Sequence, residues 1–246
     1  MKIFDIPKTR FISHRGFMPL APENSLPSFA YAGILGQWAI ETDVHITKDG
    51  GIICCHNESI DQYCNSTGKI SDMTLKELRG LEIIHGNRVN CFTAEERRLP
   101  IFSEYLGICK KHGSIPFIEL KTDDAEYVIY NLRKCGFDDD AVVMSSTELS
   151  RLGETRRVSK NMFIHWIFAD KSRLSCLSAL GNAGLSWCVS DPFECDKVSV
   201  DLAHGMDLKV CLRAADSVKN LEQMKKLGLD YFPTNCMHET ISGDML

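Results

Sequence analysis

Four short stretches carry side chains able to do acid–base, anion-binding or metal chemistry: His14-Arg15, Glu41-Thr42-Asp43, His56 and Glu119-Leu120-Lys121. Side chains alternate across a strand, so Glu41 and Asp43 emerge on one face while Ile40, Thr42 and Val44 emerge on the other. Two carboxylates held together in a partly buried place repel, so one keeps its proton or a cation joins them. A hard divalent cation is the natural partner. Beyond them, Asp49-Gly50 supplies a tight turn, and the apolar run Ile52 to Cys55 comes back and delivers His56. One hairpin thus brings two candidate ligands and a candidate proton carrier together.

Glu119 adds a third carboxylate, and alternation sets Phe117, Glu119 and Lys121 on one face of their strand. Glu41, Asp43 and Glu119 are hard oxygen donors, which favours Mg2+ or Ca2+ over zinc, a metal that prefers nitrogen and sulfur. Arg15 can grip a phosphate through its planar fork, and Lys121 can do so as a point charge. Histidine titrates near neutrality, so His14 and His56 can serve as general base and general acid on opposite sides of a phosphorus atom. Taken singly, each residue has a plainer reading. A Glu-x-Asp on a strand is usually a solvated face, a histidine at a strand end a hydrogen-bonded prop, and Glu119-x-Lys121 an ion pair between strands. Their joint occurrence at successive strand ends is what points to a phosphodiester site with a small-molecule substrate.

The elements that must hold these residues follow from the apolar runs. Strand-like runs lie near Ile12 and Ile40 and at Ile115 to Lys121, Ala141 to Ser145, Met162 to Phe168, Leu185 to Val189, Leu208 to Leu212 and Tyr231 to Pro233. From the third onward their centres recur about every 21 to 24 residues, room for one strand, one helix and short loops. Helical patterns fall at Leu26 to Leu35, Ser103 to His112, Asp124 to Cys135, Leu149 to Val158, Ser172 to Asn182, Glu194 to His204 and Ser217 to Leu227. Eight strands alternating with helices predict a TIM-like (β/α)8 barrel of the α/β class, with its chemistry where strands end and loops begin. The alternative, an open doubly wound sheet, lacks the GxGxxG or phosphate-loop pattern of its usual nucleotide ligand. We expect a single domain over residues 1–246, with a small insertion after the second strand at about 57–100. That insertion reads as polar and mixed, with one short helix at Met73 to Leu81 introduced by Ser71-Asp72.

Composition narrows the partners. Lys and Arg number 28 against 33 Asp and Glu, a net charge of −5, so there is no broad basic surface for nucleic acid or anionic lipid. The opening Met1 to Lys8 lacks a long apolar stretch and no apolar run reaches membrane-spanning length, so a cytoplasmic protein without a membrane anchor is expected. The 11 cysteines are odd in number and form no C-x-x-C pair, which argues for reduced thiols over disulfides or zinc. Cys54 and Cys55, adjacent on a strand, must point to opposite faces.

The ordered set His14-Arg15-Gly16, Pro22-Glu23-Asn24-Ser25, Glu41-Thr42-Asp43-Val44, Thr47-Lys48-Asp49-Gly50, His56 and Glu119-Leu120-Lys121 resembles the glycerophosphodiester phosphodiesterase family. The likeness runs on through Gly68 and Thr74-Leu75-Lys76-Glu77-Leu78 to Gly228-Leu229-Asp230-Tyr231-Phe232-Pro233-Thr234-Asn235, which looks like the family's last strand. What it implies is a TIM-like barrel, one divalent cation held by Glu41, Asp43 and Glu119, and catalytic histidines at His14 and His56. The implied reaction splits a glycerophosphodiester into glycerol 3-phosphate and an alcohol. The resemblance also suggests a route in which a glycerol hydroxyl beside the ester attacks first, giving a cyclic phosphate that water opens, a step that proximity favours.

Two positions depart from the family pattern. Asn57 follows His56 where Asp is usual, and Cys211-Leu212-Arg213 stands in place of a common Trp-Thr-Val. With Cys211 and Arg213 facing inward, Arg213 sits where barrels often bind phosphate and can grip a further anionic group of the substrate. Trp187 shares a parity with Leu185 and Val189 and either walls the pocket or fills the barrel. His45 is assigned to the hairpin and His165 to core or rim. Two other functions stay open: phospholipase-type cleavage of a lipid headgroup, with Phe17-Met18-Pro19-Leu20 as the exposed apolar loop it needs, and noncatalytic binding of phosphorylated ligands.

Overall fold

The apolar runs become strands β1 (Phe11–Ser13), β2 (Ala39–Ile46), β3 (Ile52–Cys54), β4 (Ile115–Leu120), β5 (Val143–Ser146), β6 (Phe163–Trp166), β7 (Ala183–Trp187), β8 (Leu208–Leu212) and β9 (Phe232–Thr234). Their order, β8-β7-β6-β5-β4-β2-β1-β9, is that of a nearly closed barrel of eight parallel strands, with β3 paired antiparallel to β2 as a hairpin. The computed structural model describes residues 3–6, 9–187, 191–213 and 215–238; the expected strand end at Val189 falls outside them. Between β8 and β9 the barrel is tied by single bonds, from Asp230 N–H to the Val210 carbonyl (2.9 Å) and from Ala215 N–H to the Pro233 carbonyl (2.8 Å). Pro233 has no N–H of its own to extend that pairing into a ladder.

The helices are α1 (Leu26–Ile34), α2 (Leu75–Arg79), α3 (Phe102–His112), α4 (Ala125–Lys134), α5 (Leu149–Val158), α6 (Leu174–Leu180), α7 (Lys197–Gly205) and α8 (Val218–Leu227). Ser25, Thr74, Asp124, Asp196 and Ser217 start five of them by accepting the otherwise unpaired N–H three residues on. At α3, where Ile101 has no capping side chain, the Glu104 carboxylate accepts the Ile101 N–H at 3.0 Å instead. Helix α2 is shorter than predicted, and its cap is Thr74 with Glu77 rather than Ser71-Asp72.

Parity decides what each strand residue meets. Ile40, Val44, Ile118 and Leu120 pack outward against Phe29, Leu106 and Val128 of α1, α3 and α4. Leu185, Val210 and Leu212 do the same against Leu177, Val200 and Leu221 of α6, α7 and α8. Ile12, Ala39, Phe117, Phe163 and Tyr231 form a separate cluster that fills the lower barrel and leaves its upper rim to polar side chains. The insertion holds more than polar loops: Ile60, Tyr63, Ile70, Leu78 and Ile83 build a small core of their own against Ile53 and Cys55 of the hairpin. Cys54 packs with the barrel layer and Cys55 with the insertion, as their adjacency on a strand requires. Among the described residues, no helix is long and apolar enough to cross a membrane.

Candidate active site

At the C-terminal rim, a cavity of about 450 Å3 is lined by His14, Arg15, Glu41, His56, Glu119, Lys121 and Arg213, among others. The β2–β4 register sets Asp43 beside Glu119 and Glu41 beside Phe117, which converges three carboxylates. Their oxygens lie within 4.8 Å of one another and all three residues are buried. The hairpin is pinned by Cys55 N–H to the Asp43 carbonyl (3.0 Å), and its end carries His56 to the cavity. His45 stays in the hairpin as predicted, its Nε2 at 3.4 Å from the His56 carbonyl oxygen.

After β1 the chain turns sharply through Arg15 (φ 56°) and Gly16 (φ 84°), both left-handed. A Cβ on Gly16 would lie 2.3 Å from Ser28 Oγ, so only glycine lets this turn sit against α1. The turn aims Arg15 N–H at Glu41 Oε2 (2.6 Å). The Arg15 guanidinium donates to both oxygens of Glu23 (3.1 and 3.0 Å), and its Nε lies 3.7 Å from Asp43 Oδ2. Lys121 Nζ stands 3.2 Å from Asp43 Oδ1 and also contacts Glu119 Oε1.

Within the cluster itself charge is not balanced, since the three buried carboxylates are contacted by two cations, Arg15 and Lys121. Burial, then repulsion from Asp43 and Glu119, pushes the Glu41 carboxyl well above the usual range. Burial and Asp43 also raise Glu119. Burial works the same way on Asp43, but Lys121, His56, Arg15 and the Asn24 amide together outweigh it and hold that carboxyl low. Asp43 Oδ1 is buried with Lys121 Nζ at ion-pair distance, 3.2 Å, and among the described residues makes no well-formed hydrogen bond. An excess of buried hard oxygens, one of them unsatisfied, fits a divalent cation of the Mg2+ or Ca2+ type.

The two histidines are braced alike. His14 Nδ1 lies 2.9 Å from Asn235 Oδ1, and His56 Nδ1 lies 2.8 Å from Asn57 Oδ1. Asn57 therefore keeps a hydrogen bond to the ring while adding no charge. Burial, with the Arg15 cation next, lowers the His14 pKa, which keeps that ring neutral at neutral pH.

Trp187 does not join the others. It is buried in the helix-facing layer with Leu185 and Leu212, under Lys171 Nζ at 5.1 Å, whereas its neighbour Ser186 lines the cavity. Sharing a parity with Leu185 is what turns the indole outward. Arg213 and Cys211 do face inward. His165 is buried and lines the cavity, with Nδ1 2.5 Å from the Tyr231 hydroxyl, and burial drives its pKa down to about 3. Phe17 is buried, so the 17–20 loop does not present the apolar surface a lipid would need; at the rim it is Phe168 that stands 44% exposed.

Some site residues had no assigned role in the sequence. Glu23 braces Arg15, and Asn24 (φ 45°) donates to Asp43 Oδ2 (3.0 Å) while accepting from the Thr42 hydroxyl (2.7 Å). Both lie just before α1, in the Pro22-Glu23-Asn24-Ser25 motif, and asparagine's tolerance of left-handed backbone was the available signal. Asp216, which binds Asn235 from the loop after β8, had none.

Residues 14–175 match the profile of the Glycerophosphoryl diester phosphodiesterase family. A glycerophosphodiester phosphodiesterase of Caldanaerobacter subterraneus is 28% identical over 169 residues, 65% of this chain and 67% of its own. Glycerophosphodiester phosphodiesterase 1 of Mus musculus is 29% identical over 110 residues, 45% of this chain and only 33% of its own. An Oleispira antarctica phosphodiesterase, solved in complex with the product sn-glycerol-3-phosphate, aligns with a TM-score of 0.85 at 20% identity over 98% of both chains. A Thermotoga maritima glycerophosphodiester phosphodiesterase aligns at 0.75 with 16% identity, over 96% of this chain and 98% of its own. At such identities the structural likeness speaks for the fold, and the family follows from the sequence match: the chain belongs to the glycerophosphoryl diester phosphodiesterase family.

Proposed function

We propose that this chain hydrolyses glycerophosphodiesters to glycerol 3-phosphate and an alcohol, using one divalent cation and the histidines His14 and His56. The observation that carries the reading is convergence: two histidines, two cations and the carboxylate cluster, drawn from β1, β2, β4 and the hairpin, share one cavity rim. Glu41, Asp43 and Glu119 would hold the cation, Mg2+ or Ca2+ by their oxygen chemistry. When bound, it supplies Lewis-acid stabilisation of charge on a phosphoryl oxygen. Arg15, braced by Glu23, presents its remaining N–H groups to the phosphate, and Lys121 adds a point charge.

His14, neutral, accepts the proton of the attacking hydroxyl, and His56 returns one to the departing alcohol oxygen. With the glycerol hydroxyl as attacker, its oxygen bonds phosphorus as the bond to the alcohol breaks, and water then opens the cyclic phosphate. An analogue lacking that hydroxyl tests the route, and full turnover of the analogue would rule it out. Arg213 lines the same cavity and takes an anionic group on the alcohol. The free thiols among the described cysteines suit a cytoplasmic setting.

The deciding assay follows glycerol 3-phosphate release from a panel of glycerophosphodiesters, with chelator and metal add-back, for wild type and His14→Ala. Metal-dependent turnover by the wild type alone is expected. No turnover of any substrate would leave a binder of phosphorylated ligands.

A further inference from the structure

We propose that Asp216 and Asn235 are positioning residues that fix which ring nitrogen of His14 carries its proton. The inference rests on His14 being the base proposed above. Its premise is the direction of three hydrogen bonds. The Asp216 carboxylate accepts from the Asn235 backbone N–H at 2.6 Å and from the Thr234 hydroxyl at 2.9 Å through Oδ1, and from the Asn235 side chain at 2.5 Å through Oδ2.

An ionised carboxylate only accepts, so the Asn235 atom facing it must be the NH2 group. The Asn235 carbonyl oxygen is thereby turned to His14 Nδ1, 2.9 Å away. That oxygen also only accepts, so Nδ1 must carry the hydrogen and Nε2 keeps its lone pair. Since His14 lines the cavity, the lone pair is left for the substrate hydroxyl. His56 has no such lock among the described residues: Asn57 is exposed, and none of their side chains decides which end of its amide meets the ring.

The geometry makes a specific forecast for Asp216→Asn. The introduced amide must keep its oxygen toward the Asn235 backbone N–H and the Thr234 hydroxyl, which sets its NH2 against the NH2 of Asn235. Asn235 relieves that clash by rotating its amide, which presents an NH2 to His14 Nδ1 and forces the proton to Nε2. Adding Asn235→Asp restores an acceptor on both sides.

Nitrogen-15 NMR of histidine-labelled protein, with the His14 signals assigned by His14→Gln, reads the tautomer directly. The expected results are Nδ1–H in wild type, Nε2–H in Asp216→Asn, and Nδ1–H again in the Asp216→Asn/Asn235→Asp double variant. In turnover, Asp216→Asn should lower kcat roughly 10²-fold with KM within about twofold, and the double variant should regain about tenfold or more. An Nε2–H tautomer in wild type would by itself overturn the proposal. So would a loss confined to KM, or a double variant no better than Asp216→Asn. A wild type that cleaves no glycerophosphodiester would sink the proposed activity, while the tautomer measurement would still decide the lock.

Discussion

Acidification should destabilise this protein through His165, and His165→Gln should remove that part of its acid sensitivity. In the fold this ring is 3% exposed, wedged against Phe117 and Tyr231, and its pKa is lowered to about 3 by burial. In the unfolded chain a histidine titrates near 6.5. The unfolded state therefore binds the extra proton in the window between those values. The contribution is fully present above about pH 6.5 and is lost as pH falls toward 3. Each pH unit inside the window is worth about 1.4 kcal/mol, so roughly 2 kcal/mol disappears between pH 6.5 and 5. For a chain of this size that corresponds to a fall in Tm of roughly 4 to 8 °C. Calorimetric Tm values for wild type and His165→Gln, taken from pH 7.5 to 5, isolate the effect, because the carboxylates common to both proteins cancel in the difference. The offset at pH 7.5 measures lost packing, and only its change with pH bears on the buried ring. A Tm difference that stays constant within about a degree across that range would refute the reasoning.

Glu41→Gln should melt higher than wild type in chelator, since it removes a carboxyl whose ionisation burial and then the neighbouring Asp43 and Glu119 disfavour, less the lost attraction to Arg15. Excess Mg2+ or Ca2+ should reverse that order, and thermal melts with and without metal check both halves. Arg213→Ala should lower kcat/KM roughly tenfold for diesters with an anionic headgroup and leave glycerophosphocholine unchanged, which a paired substrate assay reads. Trp187→Phe should leave kcat/KM within about twofold while costing roughly 1 to 3 kcal/mol in denaturant melts, because the indole belongs to the helix-facing layer. A selective rise in KM would return it to the pocket.

The carboxylate cluster was legible because strand alternation is a strict period: once Glu41 and Asp43 share a face, only the register with Glu119 remains to be supplied. The same rule separates Arg213 from Trp187 only once the faces are known: Cys211 and Arg213 alternate with apolar Val210 and Leu212, whereas Trp187 falls in step with Leu185, a parity that in the sequence left both pocket wall and barrel filling open. The insertion was read as polar because Ile60, Tyr63, Ile70, Leu78 and Ile83 are spaced without a helical or strand period, and their common core forms only on folding over the hairpin. The brace on His14 was out of reach for a different reason. Asp216 and Asn235 lie 19 residues apart at the ends of different strands, and nothing local to either requires the other.

Lys121 shows how the parts of this rim depend on one another. Its ammonium is engaged by Asp43 and Glu119, two of the carboxylates proposed to hold the cation. A lysine so paired can meet a substrate phosphate only if its carboxylates accept another positive charge. Counted as ionised, Glu41, Asp43, Glu119 and Glu23 against Arg15, Lys121 and Arg213 leave one negative charge uncompensated, which repels a phosphodiester. A divalent cation held by the carboxylates would reverse the sign of that sum and free Lys121 to face the cavity it already lines. Cation and phosphate would then favour each other's binding by linkage, and reciprocity would require the diester to strengthen the hold on the metal by the same factor. On the proposed function, the rim would repel its substrate until the cation is bound.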